Sequence, residues 1–239
     1  MPTLRTRIIT FSGIDGAGKS TQIAALLDHL HSRGCTTALY TFWDDVVVLS
    51  GFREFLSHKA FKGDKGIGSP ERPIERRDKN VTTWYARLPR LVFYLLDTIS
   101  LRFAVKRFSR KGTDFLIFDR YIYDEIANLP LQSRWMGWYA KFLLALSPQP
   151  EIAFLIDADP DAAFHRKPEY PLDFLRKNRN AYLTLSRLIP VMKVVGPGSI
   201  SEITAQVLSS AAAQNLNDAS SLRLQFHLGD SKNVNAPIT

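Results

Sequence analysis

Residues Gly13-Ile14-Asp15-Gly16-Ala17-Gly18-Lys19-Ser20 place a glycine, four intervening residues and then Gly-Lys-Ser near the start of the chain. That spacing is the one a phosphate-binding loop needs, and such a loop works only between a strand and a helix. Glycines let the backbone curl until successive N–H groups point inward at phosphate oxygens. Lys19 is then the residue that reaches β- and γ-phosphates, and the Ser20 hydroxyl is a ligand for Mg²⁺. A helix beginning here adds the partial positive charge of its N-terminus. The flanks agree. Arg7-Ile8-Ile9-Thr10-Phe11 is a short apolar β-prone run, and residues 21–30 are apolar at helical spacing until Gly34 stops them.

A chain of 239 residues, 45% hydrophobic, has enough material for one large α/β domain with a sizeable core. No apolar run approaches the ~18 residues of a membrane span. The strongest candidate, Leu91–Leu96, is interrupted by Asp97 and then Arg102. The N-terminus shows no long apolar stretch before a small-residue cleavage site, so no signal peptide is expected. Cys35 is the single cysteine, which excludes an internal disulfide and any all-cysteine metal site. It reads as a buried strand residue, and a reducing cytoplasm is the expected location. The formal charge of +8 suits anionic partners. Its basic residues are scattered and match no nucleic-acid module, so phosphorylated small molecules are expected and nucleic acid is not.

Strand-like and helix-like runs alternate along the chain. Strands are expected at 7–12, 35–42, 114–118, 151–156 and 192–195. Helices are expected at 19–33, 51–61, 89–110, 121–128, 135–146, 160–166, 172–188 and 199–212, with Pro89 and Pro160 as first-turn residues. This alternation predicts a parallel sheet covered by helices on both faces, with ligands beyond the carboxyl ends of the strands. Residues 62–80, rich in Gly, Pro and charge, read as a long functional loop or a disordered one. The tail from about 214 reads as loosely attached, with Leu222–Phe226 as a potential edge strand.

Two further runs carry chemistry. Phe115–Phe118 is a buried strand from whose end Asp119 and Arg120 emerge. Beside a phosphate loop, Asp119 holds or orients Mg²⁺, directly or through water, and Arg120 is able to grip a phosphate bidentately. Phe154-Leu155-Ile156-Asp157 is a second strand ending in an acid, followed by a basic stretch containing Arg166, Arg176 and Arg179. Cations on a closing segment stabilise the charge that builds during phosphoryl transfer, and these three arginines are candidates in that order. Asp15 inside the loop is expected to point away from the phosphates, toward the sugar of a second substrate. Arg53 reads either as a contact to that substrate's phosphate or as an exposed helix arginine. Trp43, Trp84, Trp135 and Trp138 read as core or groove-lining residues, with Phe42 and Trp43 directed toward the cleft and able to pack on a planar substrate.

Phe11–Gln22 closely resembles the phosphate loop of thymidylate kinases, Asp119-Arg120-Tyr121 looks like that family's second signature, and Phe174–Leu183 is similar to the helix after its lid. The resemblance spans roughly 7–212. It implies a P-loop three-layer sandwich with a five-stranded parallel sheet and helices on both faces, as a kinase domain over 1–212 with a lid at about 166–173 and a tail at 213–239. It also implies transfer of the ATP γ-phosphoryl to a nucleoside monophosphate in nucleotide biosynthesis (dTMP + ATP to dTDP + ADP), dependent on Mg²⁺, often in a homodimer. ATP would lie on Gly13, Ile14, Asp15, Gly16, Ala17, Gly18, Lys19, Ser20 and Thr21, with Mg²⁺ on Ser20 and Asp119. Lys19, Asp119 and Arg166 would serve catalysis, because members with glycine rather than arginine at the position of Gly16 carry the catalytic arginine in the lid. The acceptor would meet Asp15, Arg53, Arg120 and Tyr121.

The chain departs from that family at the acceptor end. Phe42-Trp43-Asp44-Asp45-Val46-Val47 stands where an Arg-Glu-Pro-Gly-Gly-Thr-like segment is usual, and Asp97 is followed by Thr98 where an Asp-Arg pair reads the base. Asp124 replaces a serine, and the usual glutamine is not evident around Asn128. Two alternatives therefore stand beside the dTMP reading: a kinase of another small-molecule or sugar acceptor, and an ATP-binding switch without transfer activity.

Overall fold

Five short apolar runs pair into one all-parallel sheet in the computed structural model, which describes residues 6–47 and 84–214, with side chains from 89 onward in the second stretch. The strands are β1 (Arg7–Ser12), β2 (Thr37–Thr41), β3 (Phe115–Asp119), β4 (Ile152–Ile156) and β5 (Met192–Val195), in the order β2-β3-β1-β4-β5. β1 is central, with Phe11 beside Asp119 of β3 on one flank and beside Phe154 of β4 on the other. β3 and β4 are buried almost throughout, as continuous apolar runs in a sheet covered on both faces must be.

The helices are α1 (Lys19–Ser32), α2 (Trp84–Ser109), α3 (Ile122–Ile126), α4 (Arg134–Leu146), α5 (Pro160–Arg166), α6 (Leu172–Ser186) and α7 (Ile200–Ala213), with a π-helical turn at Phe42–Val46. Parallel crossovers are right-handed. The β1-to-β2 connection moves one way across the sheet and every later connection moves back, so α1 lies on one face and α2 to α6 on the other. α7 packs on α1 and completes the first layer. The result is an α/β three-layer sandwich. At the carboxyl edge, β1 sends its chain to one face while its neighbours β3 and β4 send theirs to the other, which opens a crevice there.

All five expected strands form. α1 ends as Gly34 predicts: Gly34 takes φ +73, its N–H donates to the His31 carbonyl, and the Cys35 N–H donates to the Leu30 carbonyl. Cys35 is buried, but in this turn rather than in a strand, because β2 starts only at Thr37. α2 corrects another expectation. It begins at Trp84, so Pro89 sits inside the helix and withholds one N–H from the ladder instead of opening it. Trp135 and Trp138 are 67% and 72% exposed on α4, not in the core; Ala140 and Leu143 supply that helix's buried side. The helix expected at 51–61, the loop at 62–80, Arg53 and the tail from 215 lie outside the described residues. No helix among the described residues is long and apolar enough to cross a membrane.

Candidate functional site

The loop between β1 and α1 is shaped by its glycines. Gly13 has φ +145, and a Cβ on it would lie 2.6 Å from the Ile156 carbonyl oxygen at the end of β4. Gly16 has φ +79, and a Cβ there would collide with the Ala163 carbonyl of α5. Gly18, at φ +91, opens α1 without any side-chain cap. The contrast with other helix starts is informative. Asp159 caps α5 by accepting from the Ala162 N–H at 3.0 Å, and Ser199 with Glu202 forms a reciprocal capping box on α7. α4 and α6 also start without a side-chain cap, so what distinguishes α1 is that its uncapped first turn follows the glycine loop at the crevice, with Ser20 and Thr21 exposed beside it.

Lys19 is the buried charge of the loop. Its Nζ donates to the carbonyls of Gly13 and Ile14, each at 3.1 Å. Burial, reinforced by the Arg120 guanidinium, pushes the ammonium down to about 8 against the attraction of Asp15, Asp124 and Asp119. At the end of β3, Asp119 holds one carboxylate oxygen, Oδ1, buried with no hydrogen-bond partner among the described residues. An orphaned carboxylate oxygen is costly unless a cation or a donor reaches it.

Arg120 follows with φ +67, a left-handed conformation costing of order 1 kcal/mol for a side-chain-bearing residue. That twist leaves its guanidinium between two carboxylates. Nη1 donates to Asp124 Oδ1 at 2.8 Å, and Nη2 pairs with Asp15 of the loop. Burial opposes its charge, but Asp124, with Asp15, holds it firmly protonated. Asp15 therefore pairs with Arg120 while its charge also reaches Lys19, and it joins two residues expected on one substrate.

Across the crevice, Asp157 after β4 accepts from Arg179 of α6 at 2.5 and 2.6 Å, a fork-to-fork pair. The direct hydrogen bonds hold the Arg179 guanidinium charged. Asp157 and Arg179 line a depression against Gly13 and Ile14. Of the three candidate lid arginines, Arg179 is thus the one seated on the loop. Arg166 is exposed in the last turn of α5, one turn beyond the Ala163 that abuts Gly16. Arg176 is exposed and pairs with Asp161 at 3.2 Å.

Two expectations change, and a noted departure gains a structural reason. Tyr121 is fully buried and its hydroxyl donates to the Pro148 carbonyl at 2.6 Å, so it is a core residue and not a contact to an acceptor. Phe42 is likewise fully buried and offers no face to a substrate, while Trp43 packs edge-on against it. Asp97 and Thr98, where a base-reading pair was sought, are both completely buried, and the Thr98 hydroxyl donates to the Tyr94 carbonyl of its own helix. In the sequence Asp124 stands out only as a replacement for a serine and by its i+4 spacing from Arg120, and Ser12 and Tyr182 lie in the resembling segments without a role of their own.

No protein-family model matches the chain.

Proposed function

We propose that the chain is a phosphotransferase that moves the γ-phosphoryl of Mg²⁺-ATP to a nucleoside monophosphate of the dTMP kind, as dTMP + ATP to dTDP + ADP. The observation that carries the reading is the pairing of two cations at one sheet edge. Lys19 lies in a glycine loop at an uncapped helix start, and Arg120 lies at the next strand end, with Asp15 between them. The residues present also suit magnesium. Mg²⁺ is usually held by one or two protein ligands together with substrate phosphates and water, and the orphaned Asp119 Oδ1 and the exposed Ser20 hydroxyl fit that set. When bound, the ion supplies charge compensation to the phosphates.

The protein's own groups do the rest. Gly13 to Thr21 offer backbone donors and Lys19 a positive charge to the donor's phosphates. On binding, Lys19 exchanges two carbonyls for phosphate oxygens. Arg120 takes the acceptor phosphate, and Asp15 takes the acceptor's sugar hydroxyl once it leaves Arg120. Arg166 and Arg179 deliver further positive charge from α5 and α6 as the segment between those helices closes. Arg53, outside the described residues, remains a proposed second contact to the acceptor phosphate.

One observation favours another phosphorylated acceptor, such as a sugar phosphate, on the same site. Thr98 and Asp97 are both completely buried, so this position of α2 offers no polar base-reading pair. A cytoplasmic location is proposed with either reading. A homodimer is proposed through α2, where Val92, Leu96, Ile99 and Phe103 form an exposed apolar seam at the 4-3-4 spacing that suits a second helix. Coupled ADP-release assays with dTMP, dUMP, other monophosphates and sugar phosphates test the reading. Acceptor-dependent ADP release supports it; tight ATP binding with no turnover on any acceptor overturns it.

A further inference from the structure

Asp124 is 3% exposed, yet it carries a formal charge and receives four donors. Its Oδ1 accepts from Arg120 Nη1 at 2.8 Å and from the Tyr182 hydroxyl at 2.6 Å. Its Oδ2 accepts from the Ser12 hydroxyl at 2.7 Å and from the Tyr121 N–H at 3.2 Å. An ionised carboxylate has about four lone-pair sites, so this one is saturated. The four donors come from the end of β1, the turn after β3 and the middle of α6. No single rotation of the Asp124 side chain keeps all four bonds, and the group is therefore a fixed anion.

Asp15 differs in kind. It lies on the loop at the mouth of the crevice, its side chain 21% exposed against 2% for Asp124. Arg120 is thus held at Nη1 by an immovable partner and at Nη2 by one that an incoming anion is able to replace. That asymmetry suits a phosphate site. A guanidinium free to rotate would close onto Asp15 with both edges, whereas one pinned at Nη1 keeps its outer edge presented at a constant angle.

We infer that Asp124 is a positioning residue: together with Tyr182 and Ser12 it pins Arg120 so that the outer edge of the guanidinium receives the acceptor's phosphate in exchange for Asp15. This rests on the phosphotransferase reading above. Because Tyr182 stands on α6 one turn beyond Arg179, the helix after the proposed lid touches both the Arg120 anchor and, through Asp157, the end of β4. The position of α6 thereby enters the geometry of the acceptor site.

The test is steady-state kinetics of the full chain and its Asp124→Asn and Tyr182→Phe variants, with Mg²⁺-ATP and the acceptor that the wild type turns over best. Asp124→Asn keeps shape and removes the charge; Tyr182→Phe removes one donor and serves if the first variant folds poorly. The expected result is an acceptor KM raised at least about ten-fold in Asp124→Asn and several-fold in Tyr182→Phe, with the KM for ATP within about two-fold of wild type. A lower kcat or Tm with an unchanged acceptor KM in both variants means that the cluster only holds the fold, and it overturns the inference. Absence of wild-type turnover on every acceptor is a different outcome, which overturns the phosphotransferase reading and the role of Arg120 with it.

Discussion

Lys19 gives the site a pH signature in the absence of any ligand. Its ammonium is pushed down from 10.5 to about 8 in the folded chain, chiefly by burial. Below about pH 8 it is charged in both states, and the folded state bears the full cost of a buried ammonium, about 3 kcal/mol. Between pH 8 and 10.5 the unfolded chain keeps a proton that the folded chain has released. Stability therefore rises with pH across that window, by roughly 2 kcal/mol between pH 7 and 9.5. Tyr121 and Tyr182 act in the opposite sense at higher pH, because burial raises both hydroxyls well above their usual range and ionisation of the unfolded chain then favours unfolding. The window is accordingly closed at pH 9.5. The perturbation is Lys19→Met, which removes the titrating group, and the assay is urea unfolding of both proteins at pH 7, 8, 9 and 9.5. Subtracting the variant from the wild type cancels every other group that titrates in this range. The difference is expected to move by roughly 2 kcal/mol in favour of the wild type as pH rises. Parallel pH profiles would refute the claim that this ammonium is buried against the loop carbonyls. A triphosphate that keeps Lys19 charged abolishes the effect, so ATP binding at pH 8 is expected to take up about half a proton, read by calorimetry in buffers of different ionisation enthalpy.

Other expectations are more local. Asp119→Asn should raise the Mg²⁺ concentration for half-maximal activity at least about ten-fold, because it removes the negative charge proposed to hold the ion; an unchanged Mg²⁺ dependence contradicts that assignment. An arginine at Gly16 should not rescue activity in an Arg166→Ala background, since its Cβ would enter the Ala163 carbonyl; recovery of activity in the double variant shows that α5 yields easily. Leu116→Ala, in a fully buried position of β3, should cost about 2–5 kcal/mol in urea unfolding, and a loss below about 1 kcal/mol contradicts the packing described for the sheet.

Much of the fold is written locally. Phe115–Phe118 and Ile152–Ile156 are uninterrupted apolar runs that only a doubly covered strand accommodates, and the Gly34 stop and the Pro160 start act through backbone conformation alone. What was not legible depends on neighbours distant in sequence. Tyr121 reads as a site residue only through its place in the Asp119-Arg120-Tyr121 signature, yet after the left-handed Arg120 its side chain is fully buried in the core. The reason for glycine at position 16 is an approach by the Ala163 carbonyl of α5, far along the chain. Asp124 seemed a departure from a serine pattern, and only the folding of β1 and α6 onto it reveals four converging donors. The core alternative for Trp135 and Trp138 fails for the opposite reason: α4 is apolar on more than the side it buries.

The central claim is that this crevice moves a phosphoryl group from donor to acceptor, rather than merely binding nucleotide. The most direct measurement follows γ-labelled ATP in the presence of Mg²⁺ and a panel of nucleoside monophosphates and sugar phosphates, with Lys19→Ala as the control. Label is predicted to appear in a phosphorylated acceptor, to require that acceptor, and to be lost in Lys19→Ala while the fold persists. Label found solely in inorganic phosphate, at a rate indifferent to every acceptor, contradicts the account.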